Sequence, residues 1–160
     1  MEQINILTWV YRQLMSDLVS VTVKGVYIVE TPSGPTPLVL LCNGEKALPI
    51  YVGISEATSI ESALNHEITP RPMTHDLFIS LLDCLDAKIK WVLIDNLDDG
   101  IYYARLIIQT DGLKRELDAR PSDCIALALR ANAEVFVRKK VITKAAIDKN
   151  EIEEITRIDL

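Results

Sequence analysis

Leu117-Asp118-Ala119-Arg120-Pro121-Ser122-Asp123, running on into Cys124-Ile125-Ala126-Leu127-Ala128-Leu129, is the stretch that decides how this chain folds. It reads as the end of a strand, a corner fixed by proline, and a helix opening at Ser122. Serine is a preferred N-cap, and Asp123 in the first turn meets the positive end of the helix dipole. The helix that follows is apolar on every side, which predicts burial against other elements. Two acids (Asp118, Asp123) and Arg120 therefore stand at the rim of a rigid core. A looser echo lies upstream in Arg71-Pro72-Met73-Thr74-His75-Asp76, which runs into Leu77, Phe78, Leu81, Leu82 and Leu85 at helical spacing. Each corner has Arg-Pro, a hydroxyl residue, an aspartate and a helix. If the two corners meet, they form a polar cleft of carboxylates, guanidinia and one imidazole.

Outward from the first corner, the pattern is rich in strands. Ile89 to Ile94, Ile101 to Gln109 and Leu113 to Ala119 are separated by Asp98-Asp99-Gly100 and Asp111-Gly112, which predicts an antiparallel meander. Toward the N-terminus, Val19, Val21 and Val23 alternate with Ser20, Thr22 and Lys24 as a half-buried strand does, and Gly25 marks a bulge. Leu38 to Cys42 and Ala47 to Val52 flank the hairpin signal Asn43-Gly44. Ser55 is the predicted N-cap of a helix that buries Ile60, Ala63 and Leu64. After the buried helix come a short strand (Glu134 to Arg138), a helix over Val141 to Asp148 and a charged tail. The expected class is α+β, a mixed, mostly antiparallel sheet packed with helices. Residues 1–18 read as an amphipathic helical extension (Ile6, Leu7, Val10, Tyr11, Leu14, Met15, Leu18), 19–148 as one domain and 149–160 as the tail.

Composition narrows the partners. A chain of 160 residues with 49% hydrophobic residues builds one core without staples. Its net charge of −6 excludes a general nucleic-acid-coating protein, whose affinity comes from many phosphate-neutralising cations. Arg138-Lys139-Lys140 is the one basic run. Cys42, Cys84 and Cys124 are scattered in apolar segments and read as buried reduced thiols of a cytoplasmic protein. Glu2, Arg12 and Asp17 interrupt the apolar start, so no membrane segment is expected there. His66 reads as a solvent-side residue near a helix end, and Trp91 with Tyr102-Tyr103 as packing on a sheet face.

Four blocks, taken together, resemble a known family: Leu48-Pro49-Ile50-Tyr51-Val52-Gly53 with Glu56-Ala57; Arg71-Pro72-Met73-Thr74-His75-Asp76-Leu77; Asp99-Gly100 with Tyr103-Ala104-Arg105-Leu106; and Asp118-Ala119-Arg120-Pro121-Ser122-Asp123 with Ile125 to Arg130. Their order and spacing, from about Val19 to Ala146, are similar to the bifunctional nuclease domain family. The resemblance implies a mixed α+β fold, dimers, and hydrolysis of both DNA and RNA. Met1 to Asp17 extends beyond where family members usually begin.

Phosphodiester hydrolysis needs an activated water, neutralisation of developing charge and help for the leaving oxygen. Asp76, Asp118 and Asp123 are the candidates to share a divalent cation, Mg or Mn, with Glu56 a more distant ligand. No organic cofactor is expected. Arg71 and Arg120 are the candidate phosphate clamps and His75 the general base or acid. The rival expectation is a non-catalytic oligomeric scaffold or small-anion-binding module, in which the same arginines and aspartates pair to lock the corners. The two differ in geometry. In the first, the acids converge toward solvent; in the second, arginines and backbone amides consume their oxygens.

Overall fold

The computed structural model describes residues 13–152 and the pair Thr156–Arg157. Its organising strand, β1 (Leu18–Thr31), serves two neighbours in succession. Leu18 to Val21 pair with β7 (Glu134–Arg138), and Thr22 to Thr31 pair with β2 (Gly34–Asn43). A bulge between Val23 and Gly25 shifts the pleat by one residue, so Val21 before it and Val26 after it enter the same core. The remaining strands are β3 (Lys46–Tyr51), β4 (Lys88–Asp98), β5 (Ile101–Thr110), β6 (Leu113–Ala119), β8 (Ile147–Asp148) and β9 (Thr156–Arg157). The order across the sheet is β6-β5-β4-β7-β1-β2-β3-β8, with β9 also on β1. β4 and β7 run parallel, while the other pairings are antiparallel, so the class is α+β with a mixed, mostly antiparallel sheet.

The predicted meander forms. Asp99 (φ 46°) with Gly100 (φ 77°), and Asp111 (φ 50°) with Gly112 (φ 73°), place two successive residues in the left-handed region. That is the geometry a tight two-residue hairpin requires. Among the described residues lie helices α1 (Ile54–Leu64), α2 (Thr74–Cys84), α3 (Pro121–Ala131) and α4 (Lys139–Ala145). α3 packs on α1, α2, β4, β5 and β7, and its Cys124 to Ala128 are all buried, as an all-round apolar helix must be. Asn132 stops it in the left-handed conformation. A smaller cluster of Leu38, Leu40 and Ala47 is covered by Tyr27 and Ile152.

Several boundaries differ from expectation. Pro121, not Ser122, opens α3, because proline's fixed φ suits the first helical position. Ser122 is consequently buried inside the first turn. α1 opens at Ile54 behind Gly53, leaving Ser55 within the helix, and α2 opens at Thr74 behind Met73. α4 ends at Ala145, and Ile147 instead pairs with Ala47, adding a short strand beside β3. Lys149–Ile152 is a 3₁₀ turn, and Thr156–Arg157 pairs with β1. Residues 13–16 are helical, Leu18 already belongs to β1, and the rest of the predicted N-terminal helix lies outside the described residues. Of the thiols, Cys124 is buried, Cys42 half-buried and Cys84 exposed; none is in a disulfide. Thus burial describes Cys124 but not Cys84. Among the described residues, no helix is long and apolar enough to cross a membrane.

Candidate active site at the two Arg-Pro corners

The two corners meet. β6 ends at Ala119, and Arg120 follows with extended backbone before Pro121 starts α3. That position leaves the Arg120 side chain free to fold over the helix start. Its Nε and Nη2 donate to Asp123 Oδ2 and Oδ1 at 2.7 and 3.0 Å, and Nη1 donates to Glu56 Oε1 at 2.9 Å. Glu56 sits in the first turn of α1 directly above Gly53, where a Cβ would collide with its carboxylate. Glycine at this strand-to-helix junction therefore keeps space for the Glu56–Arg120 pair.

His75 arrives from the other corner, on the first turn of α2. Its Nε2 lies 3.0 Å from Asp123 Oδ1, and its Nδ1 lies 2.8 Å from Ser59 Oγ of α1. An ionised carboxylate can only accept, so Nε2 carries the proton. In the neutral ring Nδ1 is then the acceptor, and Ser59 Oγ donates to it. A hydroxyl, an imidazole, a carboxylate and a guanidinium thus stand in one hydrogen-bonded line drawn from three helices. Exposure grades along it: Ser59 is 2% exposed, the His75 side chain 15%, Asp123 27% and Arg120 64%.

Asp76, next to His75, is wired differently. Oδ2 accepts from the Met73 amide at 2.8 Å, and Oδ1 accepts from Arg130 Nε at 2.6 Å. Arg130, in the last turn of α3, also donates Nη1 to the backbone carbonyls of Ser59 and Ala126, both at 3.1 Å. The Arg130 hydrogen bond holds the Asp76 carboxyl below the ordinary carboxylate range. At Asp123, burial works against the charge, but the bonds from Arg120 and His75 outweigh it and its pKa is lowered too. Burial, with Asp123 and Asp118 nearby, pushes the Cys124 thiol up to about 12, so it is no nucleophile.

Two cavities open on either side of this line, and Thr74, His75, Arg120 and Asp123 border both. The larger, of about 590 Å³, is completed by Phe78, Leu106, Leu117, Asp118, Ala119 and Leu127. The smaller, of about 220 Å³, is completed by Ser55, Glu56, Ser59 and Met73. His75, Asp123, Arg120 and Asp118 therefore share one site, whereas Asp76 lines neither cavity. Arg71 is exposed, and it enters the corner's bonding through its carbonyl, which accepts from Thr69 Oγ1 at 2.7 Å. Asp118 pairs in register with Arg105, whose guanidinium goes to Asp95 and Glu116.

The expected metal set does not fit this arrangement. Both oxygens of Asp76 and both of Asp123 already accept from arginine, histidine or backbone amide. Among the described residues, no group of three or more His, Cys, Asp or Glu side chains is disposed to hold a metal ion. Two participants, Ser59 and Arg130, escaped the sequence reading. A charge closing an otherwise apolar helix is the one signal that could have found Arg130, although a cation in a last turn is also ordinary dipole complementation. Ser59 carries no comparable signal.

The family model described as bifunctional nuclease domain matches residues 38–150, which include both corners and both cavities. The chain belongs to the bifunctional nuclease domain family. An uncharacterized protein of Mycobacterium tuberculosis (strain H37Rv) is 35% identical over 127 residues, covering 79% of this chain and 76% of that protein. Bifunctional nuclease 1 of Oryza sativa subsp. japonica is 27% identical over 97 residues, covering 59% of this chain and 29% of the rice protein. The bifunctional nuclease of Oryza minuta matches to the same extent. Within this bifunctional nuclease domain, the polar line is built by three helices that the match contains whole.

Proposed function

We propose that this chain is a nuclease that hydrolyses phosphodiester bonds at the corner formed by His75 and Arg120. One observation carries the reading: an imidazole and an exposed guanidinium are held by the same carboxylate at the shared border of two cavities. Arg120 binds non-bridging phosphate oxygens, while Asp123 and Glu56 fix its position. With Nε2–H held by Asp123, the basic atom of neutral His75 is Nδ1, on the side of Ser59 and the smaller cavity. A water that displaces Ser59 there gives its proton to Nδ1 as its oxygen bonds phosphorus. The phosphorus–oxygen bond to the leaving sugar breaks, and that oxygen takes a proton from the imidazolium or from solvent. Asp123 stabilises the imidazolium. No step is assigned to a divalent cation, because Asp76 lines neither cavity and both oxygens of Asp123 already accept hydrogen bonds.

Cleavage of both DNA and RNA, a cytoplasmic setting and a homodimer belong to the same proposal. Leu77, Leu81 and Leu85 form an exposed row along α2 that would give a second copy an apolar face. A second reading has its own support. The oxygens of Asp76 and Asp123 are consumed as a purely structural lock would consume them, which suits an anion-binding module or scaffold. The deciding experiment is a nuclease assay on single- and double-stranded DNA and RNA, with chelator, Mg²⁺ or Mn²⁺. Wild type, His75→Ala and Arg120→Ala are purified in parallel. The nuclease reading expects a loss of about 100-fold or more in His75→Ala. Equal rates in all three proteins would leave the structural reading in possession.

A further inference from the structure

We infer that this site takes a short unpaired nucleotide chain, at minimum a dinucleotide, with one base in the larger cavity and the phosphodiester lying across the His75–Arg120 border. This rests on the nuclease reading and names its substrate class. The larger cavity, about 590 Å³, falls within the roughly 300–1,000 Å³ typical of sites that engulf an organic ligand. Its deep walls are apolar: Leu106 and Leu127 are buried, Phe78 is half-buried and Leu117 closes the edge. Such a wall offers a flat base an apolar slot with an aromatic ring, and it offers a sugar-phosphate backbone nothing. The polar groups sit at the border with the smaller, hydroxyl-lined cavity, where a linking phosphate would fall.

Charge points the same way. Arg120 is the sole arginine or lysine among the residues lining the two cavities, while Glu56, Asp118 and Asp123 share that lining. One cation among three carboxylates leaves room for one phosphate at most; a duplex presents many, and this chain carries a net charge of −6. The one basic run in the sequence does not help: Arg138 is committed to Asp95 and Asp17, and none of Arg138, Lys139 and Lys140 lines either cavity. A paired base, moreover, must leave its stack to enter a recessed cavity, which costs a duplex more than a free end.

The test titrates the full chain with a dinucleotide that carries 2-aminopurine and a cleavage-resistant phosphorothioate link, with a duplex of the same base composition as competitor. The dinucleotide is expected to bind more tightly than the duplex counted per site, with a salt dependence near that of one phosphate, a log–log slope of about −0.7. Phe78→Ala is expected to weaken binding about ten-fold. Because Phe78 also touches the core, Leu117→Glu supplies the control: this side chain is 45% exposed, so the fold survives while a negative charge enters the cavity. Tighter duplex binding with a slope of several charges would overturn the inference, as would unchanged dinucleotide binding in a folded Leu117→Glu variant. A dinucleotide bound in the cavity but left uncut when its link is natural would retire hydrolysis and keep the ligand class. Equal cleavage of duplex and dinucleotide would do the reverse.

Discussion

The two Arg-Pro corners share a sequence pattern and use it oppositely. At the second corner Arg120 turns inward on its own helix and pairs with Asp123, three residues on. At the first, Arg71 stays exposed, and Asp76 takes its guanidinium from Arg130 at the far end of α3. The wiring is crossed: the first corner's histidine goes to the second corner's aspartate, and the last turn of α3 returns to the first corner's aspartate. What differs is depth. The Arg130 side chain is 10% exposed and fixed at three acceptors, so it is a structural clamp, whereas that of Arg120 is 64% exposed and can meet a ligand. Local motif similarity therefore did not transfer role; burial assigned it.

Arg130→Met sharpens this contrast most. It strips the guanidinium from Asp76 and from the Ser59 and Ala126 carbonyls, and is expected to cost about 3 kcal/mol in urea unfolding. A cost below about 1 kcal/mol would break the clamp assignment. Next in size is the response to acid. Asp76, Asp95 and Asp123 all have lowered pKa values in the folded state. The unfolded chain therefore binds protons first as pH falls, so the stability these acids contribute is complete above about pH 4 and is lost as pH drops through their folded values. Unfolding midpoints measured between about pH 6 and pH 2.5 should fall in wild type and fall less in Asp76→Asn, which is already weaker at neutral pH. The smallest effect compares the arginines themselves. Arg71→Ala should leave stability within about 0.5 kcal/mol of wild type, and Arg120→Ala should cost no more than about 1 kcal/mol. Equal effects of both on nucleic-acid binding would erase the distinction between the corners.

Much of the fold was legible because its signals are local. Paired Asp-Gly residues can hardly form anything but tight hairpins here, and an apolar helix such as α3 has nowhere to sit but inside. The meeting of the corners was legible only as a possibility, since His75 and Asp123 are far apart in sequence. Ser59 was illegible for a related reason: a serine in the middle of α1 looks like any small residue until α2 lays an imidazole beside it. Helix starts were misplaced where proline or glycine, rather than a serine side chain, set the first turn. β8 was hidden because Ile147 continues the helical spacing and becomes a strand only through its pairing with Ala47.

The bulge near Lys24 has one further consequence. It lies just past the switch of β1 from β7 to β2, and across it the main core's contact passes from an odd position, Val21, to an even one, Val26. Excising Lys24 alone would restore strict alternation and exchange the two faces of β1 on one side of the cut, setting Tyr27 and Val29, which now pack on the smaller cluster, on the face where Val26 meets the main core. Length changes at this point should therefore survive only when they come two residues at a time, leaving a parity rule imprinted on the gene.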